Sequence, residues 1–423
     1  MNRILTFIAA MMTTLCSFAA SIETDRRWYL SGEAMKVSVT TDNSMIAYAE
    51  LCDTHGLMAS TIIRLYEGKG TGTIELPQHL HSGYYVLSVY TRDNVNVSRR
   101  IVAVVNPLHK NEDDDIEWVQ IADADSLSYP GTKDGERLSA AGLADQKEED
   151  IRETEGHIVK ARIKNVYNGN TFTAKQIIPS LSIVGKQVHY FEGKMINDST
   201  AVFFVHGVHG KQPMILSAAS YTGLSLPIEM ISPFAALIPK SLPTLVFHYR
   251  RSEVEQRSKE MQQHQFAITP AKRELLIGEK DDPDMEDGVP MDYDPLIFGK
   301  KPRLTYDLDE YRQFYTIREV LIEYVRRVRH NKINGVDQLV LFSEDMGYEP
   351  WPAMVFIDGM PVIDIVRLLN YDARRIRYIN IYEHYYTFGN GVYKGILSFV
   401  SRSGRLTNYP TEPNTQYVVY EFP

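Results

Sequence analysis

Cysteine is almost missing from this chain: 423 residues hold two, Cys16 and Cys52. Cys16 lies inside an N-terminal stretch that reads as an export signal. The mature chain therefore keeps Cys52 alone, and no internal disulfide can form. Cys52 falls in an expected strand, where a thiol packs as a small hydrophobe, and no Cys–His nucleophile pair is formed. Positive charge is also short, with 45 Lys and Arg against 54 Asp and Glu and a net charge of −9. Phosphate backbones are held by concentrated Lys and Arg, so a nucleic-acid partner is excluded. Beyond the signal, no apolar run reaches the roughly 20 residues that a membrane-spanning helix needs. There is no Gly-x-Ser-x-Gly elbow and no Gly-rich phosphate loop ahead of a helix. What remains is ordinary globular composition, 44% hydrophobic and 11% aromatic, and a length that calls for two to four domains.

Residues 1–20 have the three parts of a signal peptide: Arg3 at the positive start, the apolar run Ile4 to Leu15, and Ser17-Phe18-Ala19 at the cleavage positions. Leu15 stands where a lipoprotein signal places a small residue before its modified Cys, so ordinary export with cleavage is expected. The expected destination is the periplasm, in association with the outer membrane. The negative charge is local. Between Leu108 and His157, fifteen acidic residues face five basic ones, so the rest of the chain is near neutral.

Residues 22–107 alternate apolar and polar side chains between turns, as in Met35, Val37 and Val39 after Ser31-Gly32. Six or seven short strands at this spacing make an antiparallel sandwich. Tyr29-Leu30-Ser31-Gly32-Glu33, Leu76-Pro77, Ser82-Gly83-Tyr84-Tyr85 and Val89-Tyr90-Thr91 resemble the macroglobulin-type sandwich of exported bacterial proteins. That resemblance implies a stacking and binding module with no chemistry of its own. Residues 108–156, with Asp113-Asp114-Asp115 and little periodicity, read as an acidic linker. Residues 157–250 carry six further strands, among them Leu181 to Tyr190 and Leu245 to Tyr249, and make a sandwich or half-barrel, read here as a second sandwich. Its Val184-Gly185-Lys186 turn resembles small Ig-like modules.

Residues 251–302 read as a linker: a polar helical stretch from Glu253 to Gln265, then an acidic loop from Asp281 to Asp294 broken by Pro283 and Pro290. Asp282, Asp284 and Glu286 have calcium-loop spacing. However, Asp287 occupies the glycine position and Tyr293 the closing glutamate position, which rules the loop out. Ile317, Val320, Leu321, Tyr324, Val325 and Val328 form one helical stripe. Thr316 and Glu319 supply a capping box, Tyr315 and Val320 a staple, and Arg326, Arg327 and Arg329 complement the helix C-terminus.

Within residues 303–408, Ala353 to Ile357 is a strand apolar on both faces, Asp358-Gly359 a tight turn, and Pro361 stiffens the exit. Asp364 and Asp372 are placed to cap short helical turns. Ile376 to Tyr382 alternates like a strand, and Gly395 to Ser401 is a last strand closed by Gly404. The order of Ile357-Asp358-Gly359-Met360-Pro361-Val362, Ile376 to Ile381, Phe388-Gly389 and Tyr393-Lys394-Gly395-Ile396 into Ser401-Arg402-Ser403-Gly404 resembles the plug domain of TonB-dependent receptors. In that family the plug sits in a barrel and relays force from TonB. The resemblance makes Asp358, Gly359, Pro361, Gly389, Gly395 and Gly404 a structural and interaction motif. Two departures stand out: no barrel follows, residues 409–423 reading as a tail, and no TonB box is found.

The expected fold is mainly β, two antiparallel β-sandwich domains followed by a small α+β plug-like domain, joined by acidic linkers. No catalytic residue, cofactor or metal is assigned. His206 and His209, and His79 and His81, lack the Glu and third ligand of a zinc hydrolase. The expected role is a non-catalytic scaffold or docking module for an outer-membrane barrel or transport complex. The alternatives are a soluble glycan- or peptide-binding protein, and a shortened relative of a TonB-dependent receptor.

Overall fold

The computed structural model describes residues 21–41, 44–92, 94–107, 114–120, 153, 156–167, 169–184, 188–273, 301–342, 352–388, 391–402, 404 and 412–423. The signal region, the rejected calcium loop, most of the first acidic linker and Gly389 lie outside them. Of the described residues 56% lie in strands and 11% in helices, which makes the fold mainly β.

The first strands are β1 (Ser21–Thr24), β2 (Trp28–Leu30), β3 (Ala34–Thr40), β4 (Ile46–Cys52), β5 (Leu57–Arg64), β6 (Lys69–Glu75), β7 (Gly83–Thr91), β8 (Asn94–Val105) and β9 (Ile116–Gln120). Alternation places them. In β3, Met35, Val37 and Val39 are buried, and Lys36 and Thr40 are exposed. β1, β3 and β6 form one sheet; β2, β8, β7, β4 and β5 form a second. Their facing sides share a core that includes Tyr29, Met35, Val37, Ile63, Ile74, Tyr85 and Leu87.

The second sandwich contains β10 (His157–Ile163), the small hairpin β11 (Val166–Tyr167) and β12 (Asn170–Thr171), β13 (Ile177–Ile183), β14 (His189–Glu192), β15 (Lys194–Asn197), β16 (Thr200–Val205), β17 (Gly210–Ser220) and β18 (Ile228–Ile231). β15, β16, β10 and β18 make one sheet. Gly193 sits where a Cβ would come within 2.5 Å of Phe203 and 2.8 Å of Pro179. Only glycine lets the chain turn there against the core.

From Phe234 the chain returns to the first sandwich. Two compact units result: Met1–Thr154 with Phe234–Ala267 and Pro423, and Glu155–Pro233 with Ile268–Phe422. Phe234 and Leu237 pack on Tyr48 and Tyr90, covering the outer side of the five-stranded sheet. This explains why β4 is buried at every position. Glu50, on that covered side, accepts hydrogen bonds from the backbone N–H of Leu237 (2.6 Å) and Ala236 (3.0 Å) and from the Tyr90 hydroxyl (3.2 Å). β19 (Leu245–Tyr249) then pairs in parallel with β9. Helix α1 (Arg251–Arg273) follows. Arg257 anchors it with two hydrogen bonds to Glu33, at 3.2 and 2.6 Å, and its guanidinium lies 3.7 Å from the centre of the Trp28 ring.

The remaining elements are β20 (Leu304–Asp307), α2 (Ile317–Glu323), β21 (Val328–Ile333), β22 (Val336–Leu341), β23 (Met354–Ile357), β24 (Met360–Pro361), α3 (Ile365–Leu369), β25 (Ile376–Phe388), β26 (Gly391–Ser401) and β27 (Gln416–Phe422). β20, β25, β26, β23 and β24 form a five-stranded sheet, with β23 and β26 parallel. α2, α3 and the β21–β22 hairpin cover one face around Ile317, Val320, Leu368, Ile379 and Phe399. On the other face Tyr190 of β14 meets Phe356 edge-on at 5.2 Å. The α+β domain and second sandwich therefore share packed surfaces within one unit.

Several boundaries differ from the sequence reading. Residues 409–423 contain a strand: β27 pairs with β17 over Gly210 to Leu216 and completes the sheet β14, β13, β17 and β27. Tyr420 and Phe422 are buried there, and the Tyr420 hydroxyl lies 2.7 Å from His157 Nε2. The acidic linker 108–156 contributes β9, and 157–250 splits after Pro233, because Leu237 and Leu245 are buried and Phe234 is partly buried in the first unit. The linker 251–302 begins with a docked helix. Helix α2 stops at Glu323, and Val328 opens a hairpin whose Asn334-Gly335 turn has the positive φ values (52° and 82°) of a two-residue loop. Arg329 is therefore on a strand, and Arg327 pairs with Glu383 at 2.7 Å. Tyr315 is 71% exposed and makes no staple; Arg374 lies over its ring instead. The Thr316–Glu319 capping box is present as expected.

Two predictions follow from the buried carboxylates. Arg257→Ala leaves Glu33 with Arg26, at 3.1 Å, and the Leu30 N–H, at 2.8 Å. Urea unfolding should show a loss of about 2–3 kcal/mol, below the roughly 3–5 kcal/mol of an isolated buried pair; an unchanged midpoint would contradict the anchoring role. Burial raises the Glu50 carboxyl above its ordinary value of 4.5. Its contribution to stability is thus full below that value and is lost as pH rises through the raised one. Unfolding of wild type and Glu50→Gln compared from pH 4 to pH 8 should show wild type losing ground with rising pH; a constant difference contradicts it.

Candidate functional site

Asp358 and Gly359 turn β23 into β24 with positive φ values of 46° and 83°, the geometry of a two-residue hairpin turn. Asp358 is completely buried. Its Oδ1 accepts from the backbone N–H of Ser401 at 2.7 Å, and its Oδ2 accepts from the Ser401 hydroxyl. That hydroxyl in turn accepts from the Gly404 N–H at 3.0 Å. The Asp358 N–H donates to Phe399 at 2.9 Å. One buried network therefore unites Asp358, Gly359 and Gly404 at the end of the parallel β23–β26 pair.

Pro361 and Gly395 stand apart from that network. Pro361 pairs with Phe356 across the turn. Gly395 has φ +89°, and a Cβ there would lie 2.3 Å from Leu341 and 2.7 Å from the Tyr382 carbonyl. It lets β26 run under the β21–β22 hairpin. Asp364 and Asp372 cap their helical turns through the N–H groups of Arg367 and Arg374. Sequence reasoning placed Ser401 at the end of the last strand but gave it no part in the site, because a serine inside a strand carries no signal of its own. It also missed Glu383, buried against Arg303 (2.8 Å) and Arg327 (2.7 Å).

Among the described residues, both oxygens of Asp358, the one titratable motif residue, are engaged by Ser401. Tyr90 is buried, Tyr84 is half-buried, and Tyr385 is 55% exposed on the β25–β26 hairpin. Val392, paired across from Thr387 on that hairpin, is also exposed. Cys52 is buried, and burial pushes its thiol up to about 12, far from nucleophilic use. His206 and His209 lie between β16 and β17, and no third ligand-bearing side chain joins them among the described residues. The second unit has a cleft of about 90 Å³ lined by residues including Ser180, Tyr190, Ser217, Gln338, Val362 and Tyr393. In it the Ser180 and Ser217 hydroxyls bond at 2.7 Å. Gln338 donates to the Thr222 carbonyl at 3.2 Å and keeps Oε1 without a hydrogen-bond partner among the described residues. Burial pushes the Tyr393 hydroxyl up to about 12, so it is neutral at ordinary pH.

No family model matches the chain, and no curated protein matches it. Among solved structures it is similar to the BSP domain of a biofilm-associated protein, at 10% identity and TM-score 0.17 over 53% of this chain and 30% of that one. It is also similar to the alpha-2-macroglobulin of E. coli, at 13% identity and TM-score 0.19 over 52% of this chain and 14% of that one. Titin Ig tandem domains A164–A165 give 9% identity and TM-score 0.16 over 55% of this chain and 98% of that one. The chain thus spans less than a third of the first two, and scores this low say nothing about what it does.

Asp358→Ala leaves the Ser401 donors unsatisfied in a buried site, and denaturant unfolding should show a loss of about 3 kcal/mol. Gly395→Ala should cost at least as much, from its backbone strain and the Leu341 clash. Wild-type stability in either variant would remove the structural role assigned to these positions.

Proposed function

We propose that this protein is a non-catalytic, exported cell-envelope module that docks to an outer-membrane barrel or transport complex through its α+β domain. The supporting observation is the Asp358–Ser401–Gly404 network. Asp358 is the carboxylate at a strand end where chemistry is most often sited, and here both its oxygens are taken by Ser401. The motif residues therefore hold a shape, in keeping with the plug-domain resemblance read from residues 357–404. With both faces of the five-stranded sheet covered by its own chain, contact falls to the rim. There the β25–β26 hairpin presents Tyr385 and Val392, an amphipathic pair suited to a protein surface.

A second reading, binding of a glycan or peptide, is favoured by the cleft of the second unit. Its hydroxyls, its neutral Tyr393 and the acceptor of Gln338 suit a ligand rich in hydroxyl or amide donors.

Cross-linking in intact cells, followed by membrane fractionation and purification from detergent-solubilised envelopes, separates the two. Docking predicts one dominant protein adduct that Tyr385→Asp reduces at least tenfold. A freely soluble protein without adducts contradicts docking. If Gln338→Ala instead abolishes capture on a glycan or peptide array, the cleft is the working surface.

A further inference from the structure

We propose that Asp53, His55 and His81 form a binding site for a divalent transition-metal ion of the zinc class. Asp53 and His55 come from the turn between β4 and β5, and His81 from the loop that enters β7. Folding brings their ligand atoms within 4.8 Å of one another, the one such group among the described residues. Asp53 Oδ2 lies 3.5 Å from His55 Nδ1 and 3.5 Å from His81 Nε2. Ligands held about 2.0–2.2 Å from a tetrahedral ion are about 3.3–3.6 Å from each other. Those separations are long for hydrogen bonds and right for a shared ion.

The carboxylate supplies the independent observation. Asp53 is 2% exposed, and its Oδ2 has no hydrogen-bond partner among the described residues. A buried anionic oxygen left so is costly, and a cation between it and the two imidazoles removes the cost. Its other oxygen is engaged: Oδ1 accepts from the backbone N–H of His55 at 2.7 Å and of Gly56 at 2.9 Å. Those bonds fix the turn and aim Oδ2 at the histidines. His81 is held in turn, because its ring packs 5.3 Å from Tyr85, whose hydroxyl donates to the His81 carbonyl at 2.8 Å. Asp114, bonded to the Ser82 N–H at 2.6 Å, adds negative charge close by. The competing contact at His55 Nδ1 is the exposed Thr54 hydroxyl, at 3.4 Å, a weak bond that a metal would displace.

Two imidazoles and one carboxylate suit zinc-class ions better than calcium, which takes six to eight oxygens. The His55 side chain is 63% exposed, so the fourth position faces solvent and is open to water or a donor from a partner. The ion would clasp the β4–β5 turn to the loop before β7. No chemistry is assigned to it.

The test uses the full mature chain after chelator treatment, titrated with Zn²⁺ against a chromophoric competitor, with Co²⁺ as a spectroscopic probe. Wild type should bind one Zn²⁺ per chain, and bound Co²⁺ should give the intense visible bands of four-coordination. His55→Ala and His81→Ala should each weaken binding by more than the roughly 10–100-fold that loss of an outer-shell partner costs. Asp53→Asn should do the same with its fold intact, because Asn still accepts the His55 and Gly56 N–H groups. His79→Ala, on the same loop, should bind as wild type. The proposal is overturned if wild type binds no Zn²⁺, or if the folded His55→Ala and His81→Ala variants bind it as tightly as wild type.

Discussion

A carboxylate shut away from water destabilises a fold by several kcal/mol unless donors reach its oxygens, and Asp358 is shut away completely. Ser401 supplies both donors, and it can do so only if β26 runs parallel to β23 and ends beside the Asp358-Gly359 turn. That one requirement fixes the C-terminal domain. It sets the register of Ile357 against Phe399, places Gly404 over the Ser401 hydroxyl, and needs Gly395 without a side chain so that β26 can pass under Leu341. The Asp358 carboxylate, read in the sequence as part of a tight turn, ties the ends of two strands together in space.

The same economy of buried polar groups recurs in the first unit. Glu50 receives the N–H groups of a segment nearly two hundred residues away, and Glu33 receives the guanidinium of α1. Each binds a late piece of chain back onto an early sheet. In the second unit β27 closes a sheet begun by β13 and β17. Within each unit, then, distant segments are stapled by a few buried contacts in addition to apolar packing.

Local signals were legible in the sequence, and long-range ones were not. The alternation of Met35, Val37 and Val39, the capping box of Thr316 and Glu319, the caps of Asp364 and Asp372, and the Asp358-Gly359 turn depend on neighbours a few residues away. Each is formed as read. Residues 416–422 alternate like a strand, yet only their partner β17 makes them one; alone they read as a tail. The helical stripe ran on through Val328 because Val325 and Val328 are buried for another reason, the start of a hairpin. The Asn334-Gly335 pair that turns this hairpin is itself a local signal, which the reading of the stripe did not use. Asp53, His55 and His81 were invisible as a set, since pair spacing along the chain does not reveal a turn and a loop that meet.

The account holds that the motif residues give the C-terminal domain its shape and that exposed hairpin residues make the contact. The most direct measurement compares envelope-partner capture by two folded variants, Asp358→Asn and Tyr385→Asp, at a temperature where both retain wild-type circular dichroism. The account predicts that Asp358→Asn captures partner as wild type does, while Tyr385→Asp does not. Loss of capture in folded Asp358→Asn, with Tyr385→Asp unaffected, would contradict it.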